Sequence, residues 1–248
     1  MSSWWLVALS LFCAGAVKGI FGMGLPAVSL GLLSLGMPTV EAATLIAVPT
    51  LATNAWQFAT GPERTMLLRR LGPLLVAVVA GTTLGVGFLT GTHTGLVSLT
   101  LGGVLILYAL VGMRAPTWQV TRTHERWTSP MVGLITGLIN GATGVSVMPL
   151  VPYLNSIGLA RDVLIQAMGL VFMIAMLSLA SCLAWTGHFE LASARASTLA
   201  LIPVFAGMGL GQLIRVRLHA DAFRKWFFIG LIVLGSYTAL RALTQLTE

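Results

Sequence analysis

The sequence is poor in charge. Asp, Glu, Lys and Arg make up 8% of its 248 residues, whereas a soluble domain carries about 25%. None of these four residue types occurs between Arg70 and Arg114, or within residues 127–160. Such stretches leave almost nothing polar for the surface of a soluble protein, and about 20 apolar residues suffice to cross a bilayer. The sequence therefore predicts an all-α, polytopic membrane protein.

Other absences restrict the function. The two cysteines, Cys13 and Cys182, lie inside apolar runs and show neither a disulfide framework nor metal-ligand spacing. No Walker A motif is present, and no strand precedes Gly19-x-x-Gly22-x-Gly24, so a nucleotide site is excluded. No Ser/His/Asp or Cys/His constellation indicates an enzyme. We expect neither a cofactor nor a metal.

The net charge of +7 does not indicate nucleic-acid binding. The basic residues lie singly or in small groups at the ends of apolar segments, which is typical of cytoplasmic loops in membrane proteins. Eight apolar segments can be marked, at residues 4–36, 39–60, 71–90, 94–113, 129–158, 162–187, 196–214 and 224–245.

The one long polar stretch divides the chain nearly in half. We predict a first membrane repeat over residues 1–113, a cytoplasmic linker over 114–128 and a second membrane repeat over 129–248. Each half begins with an over-long, Gly-rich apolar segment. Further on, Gly81-x-x-x-Gly85 in the first half matches Gly207-x-x-x-Gly211 in the second. These matches predict an internal duplication.

The Lys and Arg residues distinguish two topologies. If each of the eight segments crosses the membrane once, the loop cations divide 8 to 5 between its two sides. If segments 4–36 and 129–158 each turn back as a helical hairpin, they divide 11 to 2, with only Arg195 and Arg241 in the minority. The positive-inside bias favours the second topology. It also predicts that the two halves are inverted repeats, a plan found in many secondary transporters.

Two Gly- and Pro-rich stretches, 19–26 and 141–152, predict breaks in the helices of these hairpins. Broken helices survive at membrane depth only inside protein or beside a water-filled cavity. A helix N-terminus exposed by a break favours an anion, and breaks at matching places in two halves indicate a transport site. Close packing of helices is the alternative role for these glycines.

Polar residues near the breaks complete the predicted site. Lys18 is the only charged residue in the first hairpin and either attracts an anion or snorkels to the membrane surface. The neutral polar residues either bind substrate or join helices. The predicted substrate-binding set is Lys18, Gly19, Gly22, Gly24, Pro26, Asn54, Gln57, Asn140, Gly141, Thr143, Gly144, Ser146 and Gln166.

These residues carry a family resemblance. The stretch Gly15–Pro26, followed by Gly36-Met37-Pro38 and Glu41-Ala42-Ala43, resembles the first half-motif of the sulfite exporter TauE/SafE permeases. The stretch Gly137–Pro152, followed by Gly158-Leu-Ala-Arg-Asp162, is similar to that family's second copy. The resemblance covers about residues 5–245.

The resemblance implies a bacterial inner-membrane permease with two homologous halves, for sulfite, sulfoacetate and other small, often sulfur-containing, anions. Many members carry a Gly-Gly-Gly run after the first break, but here Gly22-Met-Gly24-Leu is interrupted. That departure leaves the substrate open.

We therefore expect a secondary transporter for a small anion, such as sulfite, sulfoacetate or another organosulfonate or carboxylate, with protons as the candidate coupling ion. Alternating access would occur with the two hairpins meeting near the membrane midplane. A passive anion channel and a non-enzymatic membrane subunit of a larger complex are the alternatives. The expected partners are the anion, the lipid bilayer and a second copy of the chain, without nucleic acid. The expected location is the bacterial cell inner membrane.

Overall fold

The chain is helical wherever its structure is described. The structure, a computed structural model, describes residues 4–91, 94–114, 119–188, 191–215 and 220–247, without the side chains of 94, 191–194, 215, 220–224 and 245–247. No strand occurs in these ranges. The helices are α1 (Trp4–Phe21), α2 (Leu25–Leu33), α3 (Thr39–Thr60), α4 (Arg64–Arg70), α5 (Gly72–Leu89), α6 (Thr94–Arg114), α7 (Arg122–Thr143), α8 (Leu150–Ser156), α9 (Arg161–Trp185), α10 (Leu191–Leu199), α11 (Leu201–Arg215) and α12 (Ala220–Thr247).

Six helical segments in the described ranges are long and apolar enough to cross a membrane: α1, α5, α6, α9, α12 and the stretch Arg195–Ile214, which runs from α10 into α11. The helices α3 and α7 are each 22 residues long but more polar. The first turns of α7 contain Arg122, Glu125 and Arg126, and α3 contains five threonines besides Asn54 and Gln57. The predicted all-α, polytopic membrane protein is confirmed.

Both long first segments are broken, and both turn back. The first break, Gly22–Gly24, lies beside Gln57 in the last turn of α3, yet α3 begins only at Thr39. The chain from α2 onward must therefore return along the full length of α3. The second break, which begins at Gly144, lies beside Leu179 near the end of α9, so α8 likewise precedes a return to the start of α9.

Glycine stripes bring helices of the two halves into backbone contact. A Cβ atom on Gly15 or Gly19 of α1 would meet the backbone of α11, at Val204 and Met208. The contacts advance in the same direction along both helices, so α1 and α11 are parallel. Small residues let membrane helices approach this closely without a hydrophobic driving force between them.

The helices α5 and α7 pack in the same way. The carbonyl oxygens of Val78 and Thr82 in α5 face Gly137 and Gly141 of α7, while Gly81 faces the backbone of α7 at Leu134. Two further pairs are antiparallel: α6 crosses α12 where Gly102 meets Gly235, and α3 packs against α9. The first helix of each half therefore packs against a helix of the other half.

The described cations collect at one end of the bundle. This end, the Arg70 end, holds the last turn of α3, all of α4, and the starts of α7 and α9. The opposite end, the Arg241 end, holds the starts of α1 and α3, and Arg241 donates a hydrogen bond to Leu35 O there. The directions of the helices place eight described cations at the Arg70 end: Arg64, Arg69, Arg70, Arg114, Arg122, Arg126, Arg161 and Lys225. They place two at the Arg241 end, Arg195 and Arg241.

Two boundaries differ from those that the sequence suggests. Residues 122–128, predicted as part of a linker, form the first two turns of α7, because Glu125 is held there by an ion pair with Arg70. The segment 196–214 is divided between α10 and α11 at Ala200.

Candidate functional site

Lys18 is a buried cation without an acidic partner. Its side chain is 3% exposed, and its ammonium group donates a hydrogen bond to Asn54 Oδ1 of α3. Among the described residues the only ion pair is Arg70 with Glu125, so no carboxylate neutralises Lys18. The interpretation that Lys18 snorkels to the membrane surface is wrong, because an exposed ammonium group would be required.

The first break leaves a helix N-terminus buried and uncapped. Gly22 and Gly24 adopt φ values of 75° and 96°, which allow the chain to reverse. The helix α2 starts at Leu25 with Pro26 in its first turn, and no side chain caps it. The N–H groups of Gly24, Leu25 and Ala27 form no hydrogen bond within the described residues, although all three residues are buried. Such a terminus carries partial positive charge.

Three polar groups near this break have no hydrogen-bond partner among the described residues. They are Asn54 Nδ2, Thr50 Oγ1 and Ser29 Oγ, all in fully buried or nearly fully buried side chains. Thr50 lies one turn before Asn54 on α3, so both share a helix face. Buried polar groups are almost always satisfied. Seven described side-chain groups are exceptions, and three of them lie on α2 and α3, which makes this region a candidate place for a ligand.

Sequence reasoning missed Thr50 and Ser29. The four-residue spacing between Thr50 and Asn54 was the available signal for the threonine. Nothing in the sequence distinguishes Ser29 from other serines in apolar helices.

The second break is satisfied only in part by its own chain, since the N–H groups of the buried residues Ser146, Val147 and Met148 form no hydrogen bond within the described residues. Gly144, with φ 77°, donates to Asn140 O at 2.7 Å, and Val145 N donates to Thr143 Oγ1 at 3.2 Å. Thr143 Oγ1 in turn donates to Ile139 O. Ser146 is buried just beyond the break. Free N–H groups therefore occur at both breaks among the described residues, and only the first break has Lys18 beside them.

Asn140 joins three helices. Its Nδ2 atom donates to Thr82 Oγ1 of α5 at 3.2 Å and to Ala175 O of α9 at 3.0 Å. Both amide hydrogens are thereby used. Gly19 and Gly141, the glycines that follow Lys18 and Asn140, face the neighbouring helices α11 and α5. Their contacts serve helix packing.

Two glutamines close the Arg70 end between α3 and α9. Gln57 Nε2 donates to Ile165 O at 2.6 Å, and Gln166 Nε2 donates to Phe58 O at 2.9 Å. Gln166 Oε1 also accepts from Glu63 N at 2.8 Å. Because Pro62 has no N–H to offer Phe58 O, Gln166 caps α3. We call Gln57 and Gln166 the glutamine clasp.

An ion pair reinforces the same end. Arg70 donates two hydrogen bonds to the Glu125 carboxylate, at 2.7 and 2.9 Å, and a third to Ile157 O at 2.8 Å. The hydrogen bond to Glu125 raises the pKa of the Arg70 guanidinium above its ordinary value. The pair connects the end of α4 to the start of α7 and to the residue after α8.

The Arg241 end holds a cavity instead of a clasp. A hollow of about 460 Å³ lies between the start of α3 and the end of α9, and its polar lining includes Glu41, Thr44 and His188. Ala43, beside Thr44, is 3.6 Å from the position that a Cβ on Gly144 would take. The hollow therefore lies near the second break.

The two breaks lie at different depths. Gly22 lies beside Ile165 and Gly144 beside Leu179, and these two residues are 14 positions apart on α9, about 21 Å of helix. The two hairpins nevertheless meet, because a Cβ on Gly144 would lie 2.8 Å from Leu30 Cδ1 of α2. The expectation that they meet near the membrane midplane stays a prediction. Among the predicted site residues, the structure brings together Lys18, Asn54 and the first break, whereas Asn140, Thr143, Gly144 and Ser146 form a separate cluster.

The comparison with known families agrees with this architecture. The family model for Sulfite exporter TauE/SafE matches residues 7–238. The chain belongs to the TauE/SafE family. TauE/SafE proteins are membrane permeases for sulfur-containing anions, so this member is a membrane transporter and not an enzyme. Its partners include a small solute and the lipid bilayer. No curated protein and no solved structure matches the chain.

Proposed function

We propose that this TauE/SafE protein is a secondary transporter for a small anion and that Lys18 attracts the anion to the first break. One observation supports this most strongly: Lys18 is a buried cation that no described carboxylate neutralises. Candidate substrates are sulfite, sulfoacetate or another organosulfonate or carboxylate.

The energetics favour a bound anion. A lysine at the centre of a membrane helix costs about 2.5–3.5 kcal/mol on insertion scales. Lys18 lies in the last turn of α1 but is buried by the surrounding helices, and its one hydrogen-bond partner among the described residues is Asn54. An anion beside Lys18 would neutralise the charge. It would also accept hydrogen bonds from the uncapped N–H groups of α2 and from Asn54 Nδ2 and Thr50 Oγ1, all of which are unpaired.

Alternating access is proposed from the difference between the two ends. The glutamine clasp and the Arg70–Glu125 pair close the Arg70 end, while a hollow of about 460 Å³ lies at the Arg241 end. The cation-rich Arg70 end faces the cytoplasm under the positive-inside rule, so this conformation would face outward. The bacterial inner membrane is the proposed location.

Inverted repeats provide the proposed framework for the transition. Packing α1 against α11 and α5 against α7 exchanges equivalent helices between the halves, which supports a duplication. A rigid-body movement of one repeat against the other would break the clasp and close the hollow. We propose domains at 1–113 and 129–248, joined by 114–128.

The remaining parts of the site stay predictions. They comprise substrate contacts from Gly19, Gly22, Gly24, Pro26, Gln57, Asn140, Gly141, Thr143, Gly144, Ser146 and Gln166, together with proton coupling and a homo-oligomer. A passive channel is the main alternative. Unlabelled substrate on the opposite side of the membrane accelerates the flux of labelled substrate through a secondary exchanger but not through a channel.

Flux in proteoliposomes tests the proposed function. Lys18→Met keeps the length of the side chain and removes its charge. It should lower saturable anion flux by about 10- to 100-fold, the range for losing a hydrogen bond to a charged group. Lys225→Met, at an exposed lysine of α12, is the matched control and should retain wild-type flux. Wild-type flux from Lys18→Met would remove Lys18 from the site.

A further inference from the structure

The buried groups around the first break can carry at most one full positive charge. Lys18 provides it, and the other available donors, Asn54 Nδ2, Thr50 Oγ1, Ser29 Oγ and the N–H groups of α2, are neutral. The N-terminus of α2 adds only a partial charge. The described residues of the break contain no second cation and no acid.

The helices around Lys18 add no buried charge that the structure describes. The helix α2 has no titratable residue, and α11 has only Arg215, at its last position, whose side chain lies outside the described residues. On α3 the one acid is Glu41, exposed near the Arg241 end. On α9 the charged residues are Arg161 and Asp162, exposed at its start.

Two further helices approach the break through α2. Tyr108 of α6 donates its hydroxyl to Met23 Sδ at 3.6 Å and is neutral. Phe227 of α12 lies beside Gly24, and Lys225, two residues earlier, is exposed. An anion with one negative charge is therefore enough to neutralise the site.

We propose, on the basis of the anion site above, that the transporter carries singly charged anions and rejects doubly charged ones of the same size. Sulfoacetate, which is doubly charged near neutral pH, is thereby removed from the candidate substrates. A monoanion forms a neutral pair with Lys18. A dianion leaves a net negative charge in a buried site, where desolvation is not repaid. The expected discrimination between the two charge classes is at least about 100-fold in flux.

Methanesulfonate and sulfate form a matched pair for the test, because they differ mainly in a methyl group that replaces a charged oxygen. Proteoliposomes of the full chain are given each anion at equal concentration, and flux into protein-free liposomes is subtracted. Methanesulfonate should be carried, with sulfate flux lower by at least about 100-fold. Comparable flux of the two anions would overturn the charge selectivity while leaving the anion site in place.

Sulfite provides a second comparison within one molecule. Near neutral pH the monoanion bisulfite loses a proton and becomes the dianion sulfite, whereas methanesulfonate keeps its single charge. The ratio of sulfite flux to methanesulfonate flux should therefore fall as the pH is raised through neutrality. A constant ratio would contradict the proposal. If none of the three anions shows saturable flux, the proposed function fails together with this inference.

Discussion

At the scale of single residues, the two halves differ at equivalent buried positions. Lys18 and Asn140 each lie four residues before the glycine that starts a break, Gly22 or Gly144. Lys18 has one partner, a side-chain oxygen, whereas Asn140 places both amide hydrogens on other helices. The matching positions thus differ: a lysine with one partner in one half corresponds to an asparagine that joins helices in the other.

Both positions could be singled out from the sequence because polar residues are rare in these apolar segments. Their partners could not. Asn54 is 36 residues from Lys18 and Ala175 is 35 residues from Asn140, and no local pattern indicates which face of a distant helix receives a side chain. For the same reason the cap that Gln166 places on α3 was not foreseen.

The glycines at the breaks yield the first prediction at this scale. Gly22→Ala should destabilise the protein by about 1–2 kcal/mol, the cost of a left-handed conformation for a residue with a Cβ. Gly144→Ala should cost more, because its Cβ would lie 2.8 Å from Leu30 Cδ1, whereas a Cβ on Gly22 meets nothing closer than 3.5 Å. Unfolding in a denaturing detergent series measures both.

Gly22→Asn is the control for backbone conformation. Asparagine tolerates positive φ better than alanine does, so this variant should be the more stable of the two Gly22 substitutions. If Gly22→Ala and Gly144→Ala were each as stable as wild type, the left-handed turns would not be required.

At the scale of helices, the stability of the bundle depends on which glycines face a partner. The sequence itself contains the matching motifs Gly81-x-x-x-Gly85 and Gly207-x-x-x-Gly211. It did not predict that α5 packs on α7 and α11 on α1, because a stripe of small residues indicates an interface without specifying what lies across it.

Two alanine substitutions within α5 test this packing. A Cβ on Gly81 would collide with the backbone of α7, including Leu138 N at 2.8 Å, whereas a Cβ on Gly87 meets nothing within 4 Å. Gly81→Ala should therefore destabilise the protein by about 1–3 kcal/mol, as overpacking does. Gly87→Ala should be neutral or stabilising by up to about 1 kcal/mol, because alanine is the better helix former.

The close contact of α11 with α1 extends the prediction to α11. Gly207 faces the backbone of α1 at Phe12, while Gly209 has open space around it. Thermal unfolding should show that Gly207→Ala is less stable than Gly209→Ala, just as Gly81→Ala should be less stable than Gly87→Ala. Equal stabilities within either pair would contradict backbone contact between the paired helices.

At the scale of the whole molecule, the sequence predicted the helical hairpins and the asymmetry of charge. Both depend on long apolar runs and on loop composition, which are local properties. The depth of each break could not be predicted, because it depends on how far α1 and α7 travel before they reverse. That distance is set by contacts with α3 and α9.

Cysteine labelling tests the arrangement of the two ends. In a chain without Cys13 and Cys182, Arg195→Cys and Arg69→Cys introduce exposed thiols at the Arg241 and Arg70 ends. A membrane-impermeant maleimide added to intact cells should label Arg195→Cys. It should label Arg69→Cys only after permeabilisation. Labelling of both without permeabilisation would contradict a cytoplasmic Arg70 end.

The most direct measurement is the anion-dependent thermal shift of purified protein. If the Lys18 ammonium binds the anion, saturating methanesulfonate at constant ionic strength should stabilise wild type and Lys225→Met, by about 2.7 kcal/mol at 100 times the dissociation constant. Lys18→Met should unfold no earlier than wild type without anion, and should show no shift with it. An equal shift in Lys18→Met and wild type would contradict a binding role for the buried lysine.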